Sequence, residues 1–293
     1  MRAVFSDGLR PSSRAELRAE SGARPQGCWL VASDGEAVWN DYGAMLLILF
    51  LAALWAGTQN ALAGGGSFVT FPALLLSGMD ARAANITSTV ALFPGQITTG
   101  LAGRRYVAGA ETLSFRALAA ISLAGGVVGA VLLLLTPASF FAHLVPWLVL
   151  FATAVFAWGS FGRRPAKPGT GSARHLGAVP AGIAQFLIAI YGGYFGGGIG
   201  FLMMAALTMT GQALRTAGAT KNALAGIMNA SAVVVFLFSP AVHWVKAVAV
   251  AAGAIAGGYA GAWLLLRVND RLLRVVVVLI GVGLTIGLFI REP

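Results

Sequence analysis

The stretch Ala124–Leu134 reads AGGVVGAVLLL, and Ala256–Leu266 reads AGGYAGAWLLL. Eight of the eleven positions agree at a separation of 132 residues, and neither stretch holds a charge. Both lie in longer apolar runs, and a helix needs about 20 apolar residues to span a bilayer. Runs near that length occupy Ala117–Leu135, Phe140–Phe161, Leu176–Phe195, Val245–Leu266 and Leu272–Ile290. Ala44–Ala56, Ile86–Leu101 and Ala223–Phe238 reach it with their small flanking residues. Phe68–Leu76 and Ile199–Leu207 are too short to span alone, and each directly follows a glycine triplet.

Composition leads to the same class. Of 293 residues, 58% are hydrophobic and only 10% charged, and the mean hydropathy is +0.81. A soluble domain carries about 25% charged residues to wet its surface. A soluble enzyme and a disordered regulator are both excluded. The expected fold is an all-α polytopic membrane protein with eight to ten membrane segments, the two short Gly-led ones open to a re-entrant reading.

The segments recur in order. Gly64-Gly65-Gly66 and Gly196-Gly197-Gly198 each open a short run that ends near a glycine, Gly78 or Gly211. Arg82 and Arg215 follow, then Thr87 and Thr220. This order predicts two homologous helical repeats, at 42–162 and 176–291, joined by a basic Pro/Gly linker at 163–175. Residues 1–41 read as a polar tail, either disordered or preceding a true start at Met45. Cys28 is the only cysteine, so no intrachain disulfide is expected.

The net charge of +10 is spread in short clusters between apolar runs. That is the pattern that orients membrane loops, not a stripe for nucleic acid. Arg104, Arg105 and Arg116 follow the third segment of the first half, whereas Arg267, Arg271 and Arg274 follow the fourth segment of the second. Equivalent loops then face opposite sides, which favours inverted repeats. Re-entrant short segments would instead make the repeats parallel.

Polar groups in hydrocarbon are costly and mark interior paths. Asn85, Thr87, Ser88, Thr89, Gln96, Thr98 and Thr99 form one cluster, and Thr220, Lys221, Asn222, Asn229 and Ser231 a matching one in the second half. A helix restarting after a glycine triplet offers unpaired N–H groups at its positive end, which favours an anion. The candidate binding residues are therefore Gly64, Gly65, Gly66, Asn85, Thr87, Ser88 and Gln96, with Gly196, Gly197, Gly198, Thr220, Lys221, Asn222 and Asn229. Asp80, Glu111, Asp270 and Glu292 all lie outside the apolar runs, so a cation path is disfavoured. His143, His175 and His243 lack metal-ligand spacing, and no HExxH or GxSxG occurs. No enzyme chemistry, metal or cofactor is expected. The expected partners are a small anion and the bilayer, with a homo-oligomer left open. A structural scaffold would give the matched polar clusters no reason.

Gly64-Gly65-Gly66 with Phe68 and Pro72, Asn85-Ile86-Thr87-Ser88 and Phe93-Pro94-Gly95-Gln96 resemble the TauE/SafE family of sulfite exporter-like permeases. The Gly192–Phe201 block and Thr220-Lys221-Asn222 extend the resemblance, which covers roughly residues 44–290. It implies a permease for small anions, such as sulfite, a sulfonate or a small carboxylate, in the bacterial inner membrane. It also implies a duplicated four-helix unit, fewer spans than the ten segments. The second Thr-Ser step reads Thr220-Lys221, so the two halves are not chemically equal. The expected mechanism is alternating access about a site between the repeats, with an anion channel or a permease for another solute as the alternative.

Overall fold

The computed structural model describes residues 27–62, 65–110, 112–162, 176–264 and 270–290. Gly64, Glu111 and the 163–175 linker lie outside the described residues. Residues 1–44 and 45–293 form two compact units, and the helical bundle belongs to the unit that starts at Met45. The helix α1 (Gly27–Leu62) begins inside the stretch read as a tail.

Each of the ten apolar runs is a helix. The first five are α1, α2 (Ser67–Leu76), α3 (Ala81–Ala102), α4 (Phe115–Leu135) and α5 (Ala138–Ala157). The second five are α6 (Ala178–Tyr194), α7 (Ile199–Met209), α8 (Leu214–Phe236), α9 (Trp244–Leu264) and α10 (Asp270–Ile290). No strand occurs among the described residues. Among the described residues, four helices are long and apolar enough to cross a membrane, at Asp41–Asn60, Phe115–Leu135, Ala138–Ala157 and Arg215–Phe236. At 1.5 Å per residue, α2 and α7 reach about half of a 30 Å hydrocarbon layer. The outward side chains are apolar, as in Val179, Ile183 and Leu187 on α6 or Leu279, Val282 and Ile286 on α10. That surface suits lipid rather than water.

The short helices end alike. Gly78, at φ 83°, and Gly211, at φ 90°, occupy the left-handed conformation that a residue with a Cβ adopts only under strain. Around Gly78, Gly78 N donates to Leu75 O and Met79 N to Leu74 O. Around Gly211, Gly211 N donates to Thr208 O and Gln212 N to Leu207 O. Both sets form a Schellman motif, which satisfies the last carbonyls of a helix and turns the chain sharply. The next helix, α3, is capped by Asp80, whose carboxylate accepts from Ala83 N at 3.0 Å.

Helix packing is reciprocal. The backbone of Gly125 on α4 lies against Phe186 O on α6, where an added Cβ would stand 2.9 Å from that oxygen. The backbone of Gly257 on α9 lies against Leu54 O on α1. Each residue of the second contact is displaced by 132 positions from its counterpart in the first. The fourth helix of each half thus packs on the first helix of the other, through glycines that allow close backbone approach. Phenylalanines fill the space beneath, with Phe156 edge-on to Phe68 at 6.0 Å and to Phe201 at 4.2 Å between ring centres.

Candidate functional site

The polar interior collects where α1, α3 and α8 meet the starts of α2 and α7. A cavity of about 40 Å³ lies there, lined by Asn60, Gly65, Ser67, Gln96, Thr99, Gly196, Ile199, Gly200, Lys221, Asn222 and Ala225. That is room for roughly three waters, or one compact oxyanion of similar size. Local structure holds each wall in place. Gln59 on α1 donates from Nε2 to Gly65 O at 3.0 Å, fixing the turn that starts α2. Gly196, at φ 81°, and Gly198, at φ 74°, turn the chain into α7. Thr99 Oγ1 donates to Gly95 O at 2.6 Å.

Lys221 dominates the electrostatics. It is only 7% exposed, and its ammonium has no hydrogen-bond or ion-pair partner among the described residues. No acidic side chain lines the cavity. A buried charge without a partner is costly, so this wall favours a negative guest. The first turns of α2 and α7 border the same space through Ser67, Ile199 and Gly200. Their free N–H groups and positive dipole ends act in the same sense.

The helices α3 and α8 cross this region antiparallel. Gly103 faces Ala219, Gly100 faces Asn222, and Gln96 bonds Asn229, so ascending numbers on one helix meet descending numbers on the other. Each end of the pair is tied. At one end Thr220 Oγ1 accepts from Ala108 N at 3.1 Å, Gln212 Nε2 donates to Ala108 O at 3.0 Å, and Arg215 donates to Tyr106 Oη at 2.9 Å. At the other end Thr87 Oγ1 accepts from His243 N at 3.2 Å, and Lys246 Nζ donates to Ser77 O at 2.8 Å.

Of the residues singled out in the sequence, Gly65, Gln96, Gly196, Lys221 and Asn222 line the cavity. Asn229 stands behind Gln96, donating to its Oε1 at 2.6 Å. The remaining described ones are turned to other tasks. Asn85 donates to Tyr194 O at 3.0 Å, and Ser88 shares a 2.6 Å hydrogen bond with Thr70. Thr87 and Thr220 hold the loop backbones at the two ends of the helix pair. Gly66 packs against Ala56 O, Gly197 against the Phe195 ring and Gly198 against Ala152, which makes them close-approach positions rather than lining ones. Thr99, of the first polar cluster, lines the cavity too, as do Asn60 and Ser67, which the sequence pattern did not single out. Asn60 had one signal, an amide in an apolar run shortly before the Gly64 triplet.

Residues 49–288 match the family model described as Sulfite exporter TauE/SafE. The chain belongs to the TauE/SafE family. Similar members include a probable membrane transporter protein of Sinorhizobium sp, 31% identical over 251 residues, which are 83% of this chain and 92% of that one. A probable membrane transporter protein of Haemophilus influenzae is 26% identical over 247 residues, 82% of this chain and 93% of its own. The probable membrane transporter protein YfcA of Escherichia coli is 28% identical over 240 residues, 80% of this chain and 86% of its own. No solved structure gives a significant match. This TauE/SafE protein is therefore a multi-pass membrane transporter and not an enzyme.

Proposed function

We propose that the protein is a secondary transporter for a small anion, such as sulfite, a sulfonate or a small carboxylate, acting in the bacterial inner membrane. The single observation that carries this reading is Lys221, a buried ammonium without a partner among the described residues, in a cavity lined by no carboxylate. The anion would sit between Lys221, the amides of Asn60, Gln96 and Asn222, and the starts of α2 and α7. The all-helical architecture supports an inner rather than an outer bacterial membrane, where closed β-barrels are the rule.

The mechanism we infer is alternating access. Ties hold both ends of the α3 and α8 pair around the cavity. Release of one set opens the cavity to one side. The antiparallel run of α3 against α8, which occupy equivalent places in the order of elements, supports inverted rather than parallel repeats.

The test is flux into liposomes of the purified full chain. Saturable uptake with counterflow of a labelled anion marks a carrier, whereas flux without counterflow marks a channel. Lys221→Met should abolish anion uptake while leaving membrane insertion intact and the melting temperature unchanged or raised, because it removes an unpaired buried charge. Unchanged uptake by that variant overturns the role of Lys221.

A further inference from the structure

Beside the Lys221 cavity lies a wider and more open one. A groove of about 460 Å³ runs between α3 and α8, lined by Phe93, Ile97, Leu101, Phe115 and Ile227, with Arg104 at one end. Gln96 and Asn222 line both spaces. The groove therefore begins at the amides that border the Lys221 cavity.

Two glycines keep it open. A Cβ added at Gly226 would meet nothing within 4 Å, and one at Gly100 would meet only Asn222 O at 3.8 Å. Glycine in a membrane helix ordinarily lets another helix come close, as Gly125 and Gly257 do here. At Gly226 no helix has done so, and at Gly100 the backbone of α8 at Asn222 leaves room to spare. Neither has positive φ, so no turn demands glycine there either. The space is wide, apolar and unfilled by the described residues, and it adjoins a buried charge that none of them neutralises.

We propose that the solute is an anion bearing a short apolar tail, its charged head beside Lys221 and its tail between α3 and α8. This rests on the reading of the Lys221 cavity as the anion site. Gln96 and Asn222 stand at the junction, where the acid head ends and the hydrocarbon begins. The rival occupant of the groove is a phospholipid chain with its headgroup at Arg104.

The probes are straight-chain alkanesulfonates from methanesulfonate to hexanesulfonate, titrated against the full chain in nanodiscs, with sulfite alongside. In the native protein the dissociation constant should fall about four-fold per added methylene, the ratio expected for burying one such group. Gly226→Phe, which fills the groove, should flatten that dependence, its folding being checked by its melting profile. Lys221→Met should weaken every chain length. A dissociation constant indifferent to chain length overturns the tail while leaving the anion site standing. The same steep dependence in folded Gly226→Phe also overturns it, as does length-dependent binding untouched by Lys221→Met, the behaviour of a lipid-filled groove. Failure of sulfite and every sulfonate to bind the native protein overturns the anion site itself.

Discussion

Asn229 donates from Nδ2 to Gln96 Oε1 at 2.6 Å, and the two residues stand 133 positions apart. The same separation relates Thr87 to Thr220 and Gly78 to Gly211. Gln96 and Asn229 thus occupy matching places in the order of elements and bond to each other across the α3–α8 contact. A net hydrogen bond of this kind contributes about 1 kcal/mol. The double-mutant cycle of Gln96→Ala and Asn229→Ala should yield a coupling of about that size in thermal unfolding. Additive effects of the two replacements would show that the amides do not act as a pair.

The residue 133 positions before Lys221 is Ser88, buried and hydrogen-bonded to Thr70 at 2.6 Å. Only one of these two matching places holds a charge. Ser88→Lys should therefore not create a second site. It should destabilise the protein by several kcal/mol, because a buried ammonium there would displace a satisfied hydroxyl pair. Detergent melting of the purified variant measures this, and an unchanged melting temperature would contradict the packing described at Ser88.

Thr87 and Thr220 satisfy the backbone N–H groups of His243 and Ala108 at opposite ends of α3 and α8. Thr87→Val and Thr220→Val should each cost about 0.5–1.5 kcal/mol, the net worth of one hydrogen bond. Under alternating access their effects on sidedness should be opposite, one favouring opening to each face. Labelling of single cysteines at Ser67 from either side of sealed vesicles, in a Cys28→Ser background, reads this out. Equal shifts toward one side would contradict the inverted arrangement.

The glycines differ sharply in what they tolerate. An added side chain at Gly129 would run into Ile190 O, whereas one at Gly283 would meet nothing within 4 Å. Gly129→Leu should prevent recovery of folded protein. Gly283→Ala should be neutral or stabilising by up to about 1 kcal/mol, since alanine is the better helix former. Fluorescence-detected size exclusion with heating separates the two outcomes.

The helices were legible in the sequence because hydrocarbon leaves the backbone few choices. Without water, every N–H and C=O must be paired within the chain, so a long apolar run becomes a helix. Ala117–Leu135 and Leu272–Ile290 show this, each lying within two residues of the observed bounds. The ends of α2 and α7 were marked by Gly78 and Gly211 for a backbone reason. The ring contact of Trp147, in the middle of α5, edge-on to Phe289 at 5.2 Å between centres, had no signal in the sequence.

By itself the sequence determined the class of solvent around the molecule, the ten helices, and the places where polar groups gather, because each follows from local composition. Only the tertiary structure decided which of those polar groups meet. A serine or threonine in an apolar helix looks the same in sequence whether it bonds to a neighbouring helix, as Ser88 does, or borders a cavity, as Ser67 does. The rotation of each helix about its own axis makes that choice, and packing against residues more than a hundred positions away sets the rotation.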